Sequence, residues 1–418
     1  MLKAHSVKSH RALLVAFLGA AGLASLLRWA AEGSAWLSVL VDYGTAPVGQ
    51  VFLRLLFMTV VPLLFSAVVM AIADLDLKSL GTMGRRTFSY TVVVSSIAVL
   101  IGMGLVNWVR PGDGLDPHLR DVARTAAASS GLPKVPETTA VTLLVQMVPD
   151  NPVKAAANGD SLGLIVFSVL FGIALSVTKS EGVERLKGAI SGLYDVSMAL
   201  ISGVLKLAPI GIFALVFTMV SRLGLELLRP LLAYVFVVLA GLGLHLFVVF
   251  GASVYWLGGR NPLGFFRDVR LAMATAFATA SSSATLPTAL KVAEENLKLP
   301  RPVARFVLTA GSAMNQNGTA LFEGVTVLFL AQLFAVDLSL SQQAMVMVIS
   351  VLGGIGTAGV PAGSLPVIAM ILATVGVPPE ALGLIMGFDR LLDMCRTTVN
   401  VVGDLAAAVY VARGQPSA

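Results

Sequence analysis

Long apolar segments are the feature of this sequence that most limits the folds open to it. Their approximate limits are 12–27, 46–73, 90–109, 161–178, 188–221 and 228–257. Segments of this length are typical of membrane-spanning helices, and they lack the regular alternation of barrel strands. Because 56% of the residues are hydrophobic and only 12% are charged, against about 25% in soluble domains, the sequence predicts an all-α polytopic membrane protein.

Basic residues in the links between these segments predict the orientation of the chain. The links 74–86, 179–187 and 258–270 each contain three Lys or Arg residues, whereas 33–45 and 336–341 contain none. Cytoplasmic links are enriched in Lys and Arg, so we expect a multi-pass protein of the inner (plasma) membrane with a cytoplasmic N-terminus. The same links account for the net charge of +6, which therefore indicates no nucleic-acid partner.

An ion-rich stretch, 389–404, interrupts an otherwise apolar segment near the C-terminus. Its charged residues are Asp389, Arg390, Asp393, Arg396 and Asp404. Each ion at the centre of a bilayer costs about 2.5–3.5 kcal/mol. Most of these ions fall, with Thr397 and Asn400, on one face of a helix. That face must therefore meet protein, water or a ligand.

Two later apolar segments are broken near their centres. The segment 271–291 is interrupted by three serines and a proline, and 342–375 by a glycine-rich run. Freed backbone groups are tolerated at membrane depth only where they line a cavity or bind ions. Each broken segment is followed by an unbroken one with a polar centre, at 303–335 and 381–412. This repeated order predicts a transporter whose binding site lies at the membrane midplane.

Two ions of the C-terminal stretch suit a ligand that carries both charges. Arg396 offers a planar cation for a carboxylate, and Asp393 offers an anion for an ammonium group. The alternative is that these two side chains only neutralise each other. Ser281–Ser283, close to a helix break, are suited to donate hydrogen bonds to a carboxylate.

Other polar residues suit cations. Asn315, Asn400 and Asp404 carry hard oxygen atoms of the kind that an alkali cation requires. Glu323 is a single carboxyl in an apolar helix, where it is either a proton carrier or a structural partner of an arginine. His245 is more typical of a residue with a local hydrogen bond than of a proton relay.

Several motifs, taken together, resemble one family over nearly the whole chain. They are FLRLLFMTVVPLLF, MVPDNPVKAAANGDSLGLIVFS, SSSATLP, NQNGTALFEG, GTAGVPAGS and the DxxxDxxRTxxNxxGD helix. The sequence is similar to the dicarboxylate/amino acid:cation symporters, the glutamate transporter family.

The resemblance implies eight transmembrane helices and two re-entrant helical hairpins, arranged as inverted repeats in an elevator-type homotrimer. A trimerisation scaffold would comprise 1–85 (helices one and two) and 111–222 (an extramembrane loop with helices four and five). The transport domain would comprise helix three (86–110) and 228–418. Within the latter, the predicted limits are 262–295 for hairpin one, 302–335 for helix seven, 342–375 for hairpin two and 378–412 for helix eight.

The resemblance also implies roles for individual residues. Arg396 would bind the side-chain carboxylate of the substrate, and Asp393 its amino group. The other predicted contacts are Thr319, Thr397 and Asn400 on the spanning helices, Ser282 and Ser283 in the first hairpin, and Ala358, Gly359 and Val360 in the second. A site that keeps both the aspartate and the arginine favours glutamate or aspartate.

The ion sites of the family are only partly matched. Gly311, Asn315, Asn400 and Asp404 match one sodium site. Glu323 matches the glutamate that carries the proton in mammalian members, so H+ is the favoured co-transported ion, with Na+ also allowed. No other cofactor is expected.

Two positions depart from the family pattern and argue against strong sodium coupling. Asn317 replaces an aspartate that binds sodium, and the third-helix residues beside it are Thr91, Val94 and Ser95. Gln316 replaces a methionine that links the substrate and sodium sites.

Three classes of function are open to this chain, namely a symporter, an intramembrane hydrolase and an anion channel. A proton-coupled symporter of acidic amino acids is favoured over a sodium-coupled one or a C4-dicarboxylate symporter. An intramembrane hydrolase with Ser282 as nucleophile would need a base, and only His245 is available, outside both repeats, so we expect no enzyme. An anion channel would require selectivity rings that the sequence does not contain.

Overall fold

The computed structural model of the chain describes residues 2–30, 35–73, 81–114, 145, 148–158, 161–224, 228–356 and 364–413. All regular elements within these ranges are helical. The first five α-helices are α1 (Leu2–Ala30), α2 (Ala35–Leu40), α3 (Ala46–Phe57), α4 (Val60–Ala73) and α5 (Gly81–Val109). The next five are α6 (Pro152–Asn158), α7 (Ser161–Val177), α8 (Glu181–Leu205), α9 (Ala208–Leu223) and α10 (Leu228–Leu244).

Seven further helices form the C-terminal part. They are α11 (Pro262–Thr279), α12 (Ser282–Lys291), α13 (Arg301–Met314), α14 (Asn317–Leu333), α15 (Leu340–Gly356), α16 (Leu365–Thr374) and α17 (Leu382–Ala412). Helix α10 continues to residue 257 through two π-helical segments, His245–Val249 and Ser253–Leu257. Most of the predicted extramembrane loop lies outside the described residues.

Two apolar runs are each divided into two helices. The prediction of one helix over 188–221 was wrong, whereas most of the run 46–73 lies within a single candidate spanning segment, Ala35–Met70. The run 46–73 breaks at Met58 and Thr59, and the run 188–221 breaks at Lys206 and Leu207. A proline lies in the first turn of each second helix, at Pro62 and Pro209. Because proline lacks an N–H group, it fits the first turn of a helix and not its interior.

The first predicted hairpin is present as α11 and α12. Asn261 begins α11 by accepting hydrogen bonds from the backbone N–H groups of Leu263 and Gly264. The reversal consists of Ala280, which has a left-handed backbone with φ of 48°, and extended Ser281. Ser281 accepts a hydrogen bond from the N–H of Ala284 at 3.2 Å and so begins α12.

The second hairpin is described in its two arms, α15 and α16, while its tip at 357–363 lies outside the described residues. The segment between the hairpins, predicted as one unbroken helix, is instead interrupted. Asn315 and Gln316 separate α13 from α14, with non-helical ψ angles of 65° and 56°. Their polar side chains and the freed backbone groups therefore lie in the interior.

Two apolar clusters account for most of the packing. The larger one joins α4, α5, α7, α10, both hairpins, α13, α14 and α17. A smaller one joins α1, α3 and α9, with Leu365 and Met386 at its boundary. The predicted division into a fixed scaffold and a moving domain stays a prediction.

Several helices are long and apolar enough to cross a membrane. Within the described residues, four segments meet this description, namely Ala35–Met70, Gly81–Asp113, Glu181–Leu205 and Leu228–Leu257. Shorter apolar helices include Val15–Ala30 and Ala208–Arg222. The structure therefore agrees with a multi-pass helical membrane protein, and the count of eight spanning helices stays a prediction.

Candidate functional site

The polar face of α17 is buried within the protein. The side chains along it are all less than a tenth exposed: Asp389, Asp393, Arg396, Thr397, Asn400 and Asp404. They line up because residues three, four and seven apart share one face of a helix. The five ions of this helix would be costly in lipid, and four of them are enclosed by protein.

Four charged groups at the start of this face form an alternating cluster. The Nε of Arg396 donates to Oδ1 of Asp393 at 2.9 Å, and its NH1 lies 3.5 Å from Oδ1 of Asp389. The NH1 of Arg390 lies 3.5 Å from Oδ2 of Asp393. The cluster carries two positive and two negative charges, so its ions compensate one another.

Arg396 is the most enclosed of these groups. Its side chain is only 2% exposed, and the guanidinium carbon lies 4.4 Å from the centre of the Phe322 ring on α14. A guanidinium over an aromatic face gains a cation–π attraction. Its NH1 has no hydrogen-bond partner of good geometry among the described residues. The group is thus held in place, and within the described residues this nitrogen has only the longer, 3.5 Å ion-pair contact with Asp389.

The helix break at 315–316 brings amide groups to the middle of α17. Asn400 accepts a hydrogen bond from the backbone N–H of Gly318 at 2.8 Å and donates to Thr319 at 3.1 Å and to Gln316. Helices α14 and α17 approach closely here, since a Cβ added at Gly318 would lie 2.6 Å from the carbonyl oxygen of Arg396. The predicted contacts Thr319 and Asn400 therefore lie together, next to the ion cluster.

Three of the four residues of the predicted sodium site, Gly311, Asn315 and Asp404, converge. Asn315 donates to Oδ1 of Asp404 at 2.9 Å, and its own side-chain oxygen has no hydrogen-bond partner within the described chain. A Cβ added at Gly311 would overlap the Asp404 carboxylate. Asn400 lies one turn before Asp404 on α17. This corner combines a buried carboxylate, an unpartnered amide oxygen and the interrupted backbone of α13, and oxygen ligands of this kind suit Na+.

Asn317 lies at a second polar corner, against α5. Its side-chain oxygen accepts a hydrogen bond from Ser95, while its side-chain nitrogen has no partner in the described residues. The hydroxyl of Thr91, one turn before Ser95, is buried and has no hydrogen-bond partner there either. This corner has hydroxyl and amide groups and no carboxylate of its own.

The two predicted serines of the first hairpin differ in their surroundings. Ser282 is 2% exposed, and its hydroxyl has no hydrogen-bond partner in the described part of the chain. Ser283 is exposed. The buried hydroxyl of Ser282 is therefore the better placed of the two to meet a ligand in the interior.

Glu323 lies inside the protein, next to the second hairpin. It is fully buried on α14, and a Cβ added at Gly353 of α15 would lie 3.1 Å from its Oε2. It is also an electrostatic neighbour of Arg396. Ala358, Gly359 and Val360, which the resemblance implied as contacts from this hairpin, lie outside the described residues.

His245 lies in a π-helical segment of α10 and is fully buried. Its ring packs edge-on against Phe250 at 4.7 Å, and neither ring nitrogen has a hydrogen-bond partner among the described residues. The local hydrogen bond expected for it is not seen.

Two residues of the site were not identified as such from the sequence. Phe322 contacts Arg396, but an aromatic residue in an apolar helix gives no sign of that contact. Arg390 belongs to the ion cluster. The sequence shows that it follows Asp389, but its contact with Asp393 depends on the direction of its side chain, which the sequence does not show.

Comparison with known proteins places the chain in a family. The sodium:dicarboxylate symporter family matches residues 13–414. A proton/sodium-glutamate symport protein of Geobacillus stearothermophilus is 34% identical, over 88% of this chain and 87% of the relative. A proton/glutamate-aspartate symporter of Escherichia coli is 32% identical, over 94% and 89%. Excitatory amino acid transporter 1 of Ambystoma tigrinum is 32% identical, over 87% and 76%. The resemblance seen in the motifs is confirmed, and the chain belongs to the sodium:dicarboxylate symporter family.

Proposed function

We propose that this protein is a secondary active symporter that takes up glutamate or aspartate together with cations. The observation that carries the proposal is the buried guanidinium of Arg396, flanked by Asp393 and Asp389 in the interior. A permanent cation at this depth suits a carboxylate ligand, and a carboxylate 2.9 Å away suits an ammonium group. The relatives that are named as glutamate or glutamate-aspartate symporters support the same substrate class.

The substrate replaces the ion pair between Arg396 and Asp393. Its side-chain carboxylate binds Arg396, and its ammonium group binds Asp393 where the arginine had been bound. Thr319, Thr397 and Asn400 bind its remaining polar groups. Ser282 donates to it from the first hairpin, where it is buried with an unpartnered hydroxyl, and residues 358–360 contact it from the second hairpin.

The substrate is accompanied by a proton carried on Glu323. This carboxyl is buried and lies against Gly353 of the second hairpin. Protonation removes the negative charge of this carboxyl beside Gly353 and near Arg396. We propose that this change of charge couples proton binding to the packing of the second hairpin on α14.

One sodium ion is a second candidate cargo. Gly311, Asn315, Asn400 and Asp404 form an oxygen-rich corner, and Asp404 supplies the charge. Asn317 leaves the other corner without a carboxylate, so we propose no ion there.

The proposed architecture follows the family pattern. Eight transmembrane helices and two re-entrant hairpins form a scaffold and a transport domain that moves as an elevator, in a homotrimer of the inner (plasma) membrane with a cytoplasmic N-terminus. Exposed apolar side chains of α8, such as Leu193, Val196 and Leu200, suit contact with lipid or with a neighbouring copy.

A C4-dicarboxylate symporter is the alternative substrate assignment, and sodium coupling is the alternative ion assignment. Uptake of labelled aspartate and glutamate into proteoliposomes, under separately imposed pH and sodium gradients, tests both. We expect a pH gradient without sodium to drive uptake, and succinate to compete less well than aspartate. Equal competition by succinate would contradict the role of Asp393.

Arg396→Met tests the location of the site. Loss of a charge-assisted hydrogen bond costs about 1.5–3 kcal/mol, so we expect binding of aspartate to weaken by roughly 10- to 150-fold. Arg305→Met is the matched control, because the side chain of Arg305 is 71% exposed and lies 3.8 Å from Glu294. Unchanged recognition of acidic amino acids by the Arg396 variant, with normal size-exclusion behaviour, would place the site elsewhere.

A further inference from the structure

Arg390 is a charged residue of the ion cluster to which the family motifs give no role. It follows Asp389 on α17, and its side chain is 19% exposed. Its NH1 lies 3.5 Å from Oδ2 of Asp393, and its buried Nε has no hydrogen-bond partner in the described chain. It therefore reaches inward to the carboxylate that is proposed to bind the substrate's ammonium group.

Asp393 is consequently shared between two arginines. Its Oδ1 accepts from Arg396 at 2.9 Å, and its Oδ2 faces Arg390 at 3.5 Å. Asp389 lies on the opposite side of Arg396, also at 3.5 Å. The order of charges along the cluster is thus Asp389, Arg396, Asp393, Arg390, with alternating sign.

This order matters when a ligand engages Arg396. A ligand carboxylate bound to Arg396 weakens the contact between Arg396 and Asp393. The negative charge of Asp393 must then be compensated by another cation. The ammonium group of an amino acid supplies one at Oδ1. A dicarboxylate without an amino group supplies none, and a buried carboxylate left without a cation is strongly unfavourable.

We propose that Arg390 is a positioning residue that holds Asp393 when the ligand has no ammonium group, and so lets the site bind dicarboxylates as well as acidic amino acids. The proposal rests on the proposed function, since it assumes that Asp393 binds the ammonium group. Arg390 acts through Asp393 and does not itself need to touch the ligand. It sets how strongly the site demands an amino group.

The test compares ligands that differ only by the amino group. Competition against labelled aspartate is measured with aspartate and succinate, and again with glutamate and glutarate, on purified full-length protein. In Arg390→Met we expect the inhibition constants of succinate and glutarate to rise at least tenfold more than those of the two amino acids. The readout is the ratio of the inhibition constant of each dicarboxylate to that of the matching amino acid. Arg390→Lys keeps the charge, so its ratio should stay within about threefold of that of the unmodified protein. Arg305→Met should give the same ratio as the unmodified protein.

A merely structural role of Arg390 would weaken all four ligands by the same factor, so an unchanged ratio in Arg390→Met overturns the proposal. An equal rise, in the methionine and lysine variants, of the dicarboxylate inhibition constants relative to those of the amino acids also overturns it, because the charge would then not matter. Absence of aspartate binding by the unmodified chain is a different result, and it overturns both this proposal and the proposed function.

Discussion

Replacing Glu323 by Gln removes the proposed proton site with little change of shape. The space between Glu323 and Gly353 is small, since a Cβ added at Gly353 would lie 3.1 Å from Oε2 of Glu323. Gln has nearly the same volume as Glu, so it fits there. One carboxyl carries one proton, and a gradient of one pH unit is worth about 1.4 kcal/mol per proton, or about tenfold accumulation. In proteoliposomes we therefore expect about tenfold pH-driven accumulation of aspartate by the unmodified protein and about onefold by Glu323→Gln.

Exchange of internal for external aspartate separates coupling from binding. This exchange needs no net proton movement, so Glu323→Gln should retain it while pH-driven accumulation is lost. Glu184→Gln, at an exposed position of α8, makes the same chemical change away from the site and should behave as the unmodified protein. Undiminished pH-driven accumulation by Glu323→Gln would refute the assignment of the proton to this residue.

Two further substitutions test the polar corners and the packing between them. Asn317→Asp places a carboxylate beside Ser95 without a compensating cation. Replacing choline by Na+ at equal ionic strength should therefore raise the melting temperature of this variant more than that of the unmodified protein. Equal shifts of the two melting temperatures would contradict this expectation. Gly318→Ala places a Cβ 2.6 Å from the backbone oxygen of Arg396, so it should destabilise the protein by about 1–3 kcal/mol and weaken aspartate binding. Gly243→Ala, where nothing lies within 4 Å of the added Cβ, is its control, and equal melting temperatures of the two variants would count against the close contact of α14 and α17.

The sequence predicted the broken elements where the breaking residues are themselves unusual. The serine run at 281–283 marked the reversal of the first hairpin, and the structure places it between residues 279 and 282. The breaks at 58–59 and 206–207 were missed, although Pro62 and Pro209 marked the new helix starts. The first break lies in a run that is apolar on both sides, so hydropathy alone could not show that the chain turns there, whereas Lys206 was a charged residue visible at the second break.

The break between α13 and α14 was missed for a different reason. Asn315 and Gln316 were recognised as polar residues in the centre of a helix, but they were assigned to an unbroken one. Their side chains hydrogen-bond to Asp404 and Asn400 on α17, and such long-range partners offset the cost of unwinding. A single sequence does not show which distant residue will supply that partner, so the polar character was predictable and the break was not.

The bond between Arg396 and Asp393 bears on the alternative that these ions only neutralise each other. A buried ion pair adds little net stability, because the cost of removing both ions from water offsets their attraction. The same pair is nevertheless selective, since a ligand that carries both charges can replace each half of the bond with an equivalent one. A ligand without charged groups can replace neither Arg396 nor Asp393 in this bond, and a dianion can replace only Asp393. In the proposed site, mutual neutralisation and recognition of an acidic amino acid are thus the same interaction, and we expect the cluster to distinguish ligands by how completely they reproduce it.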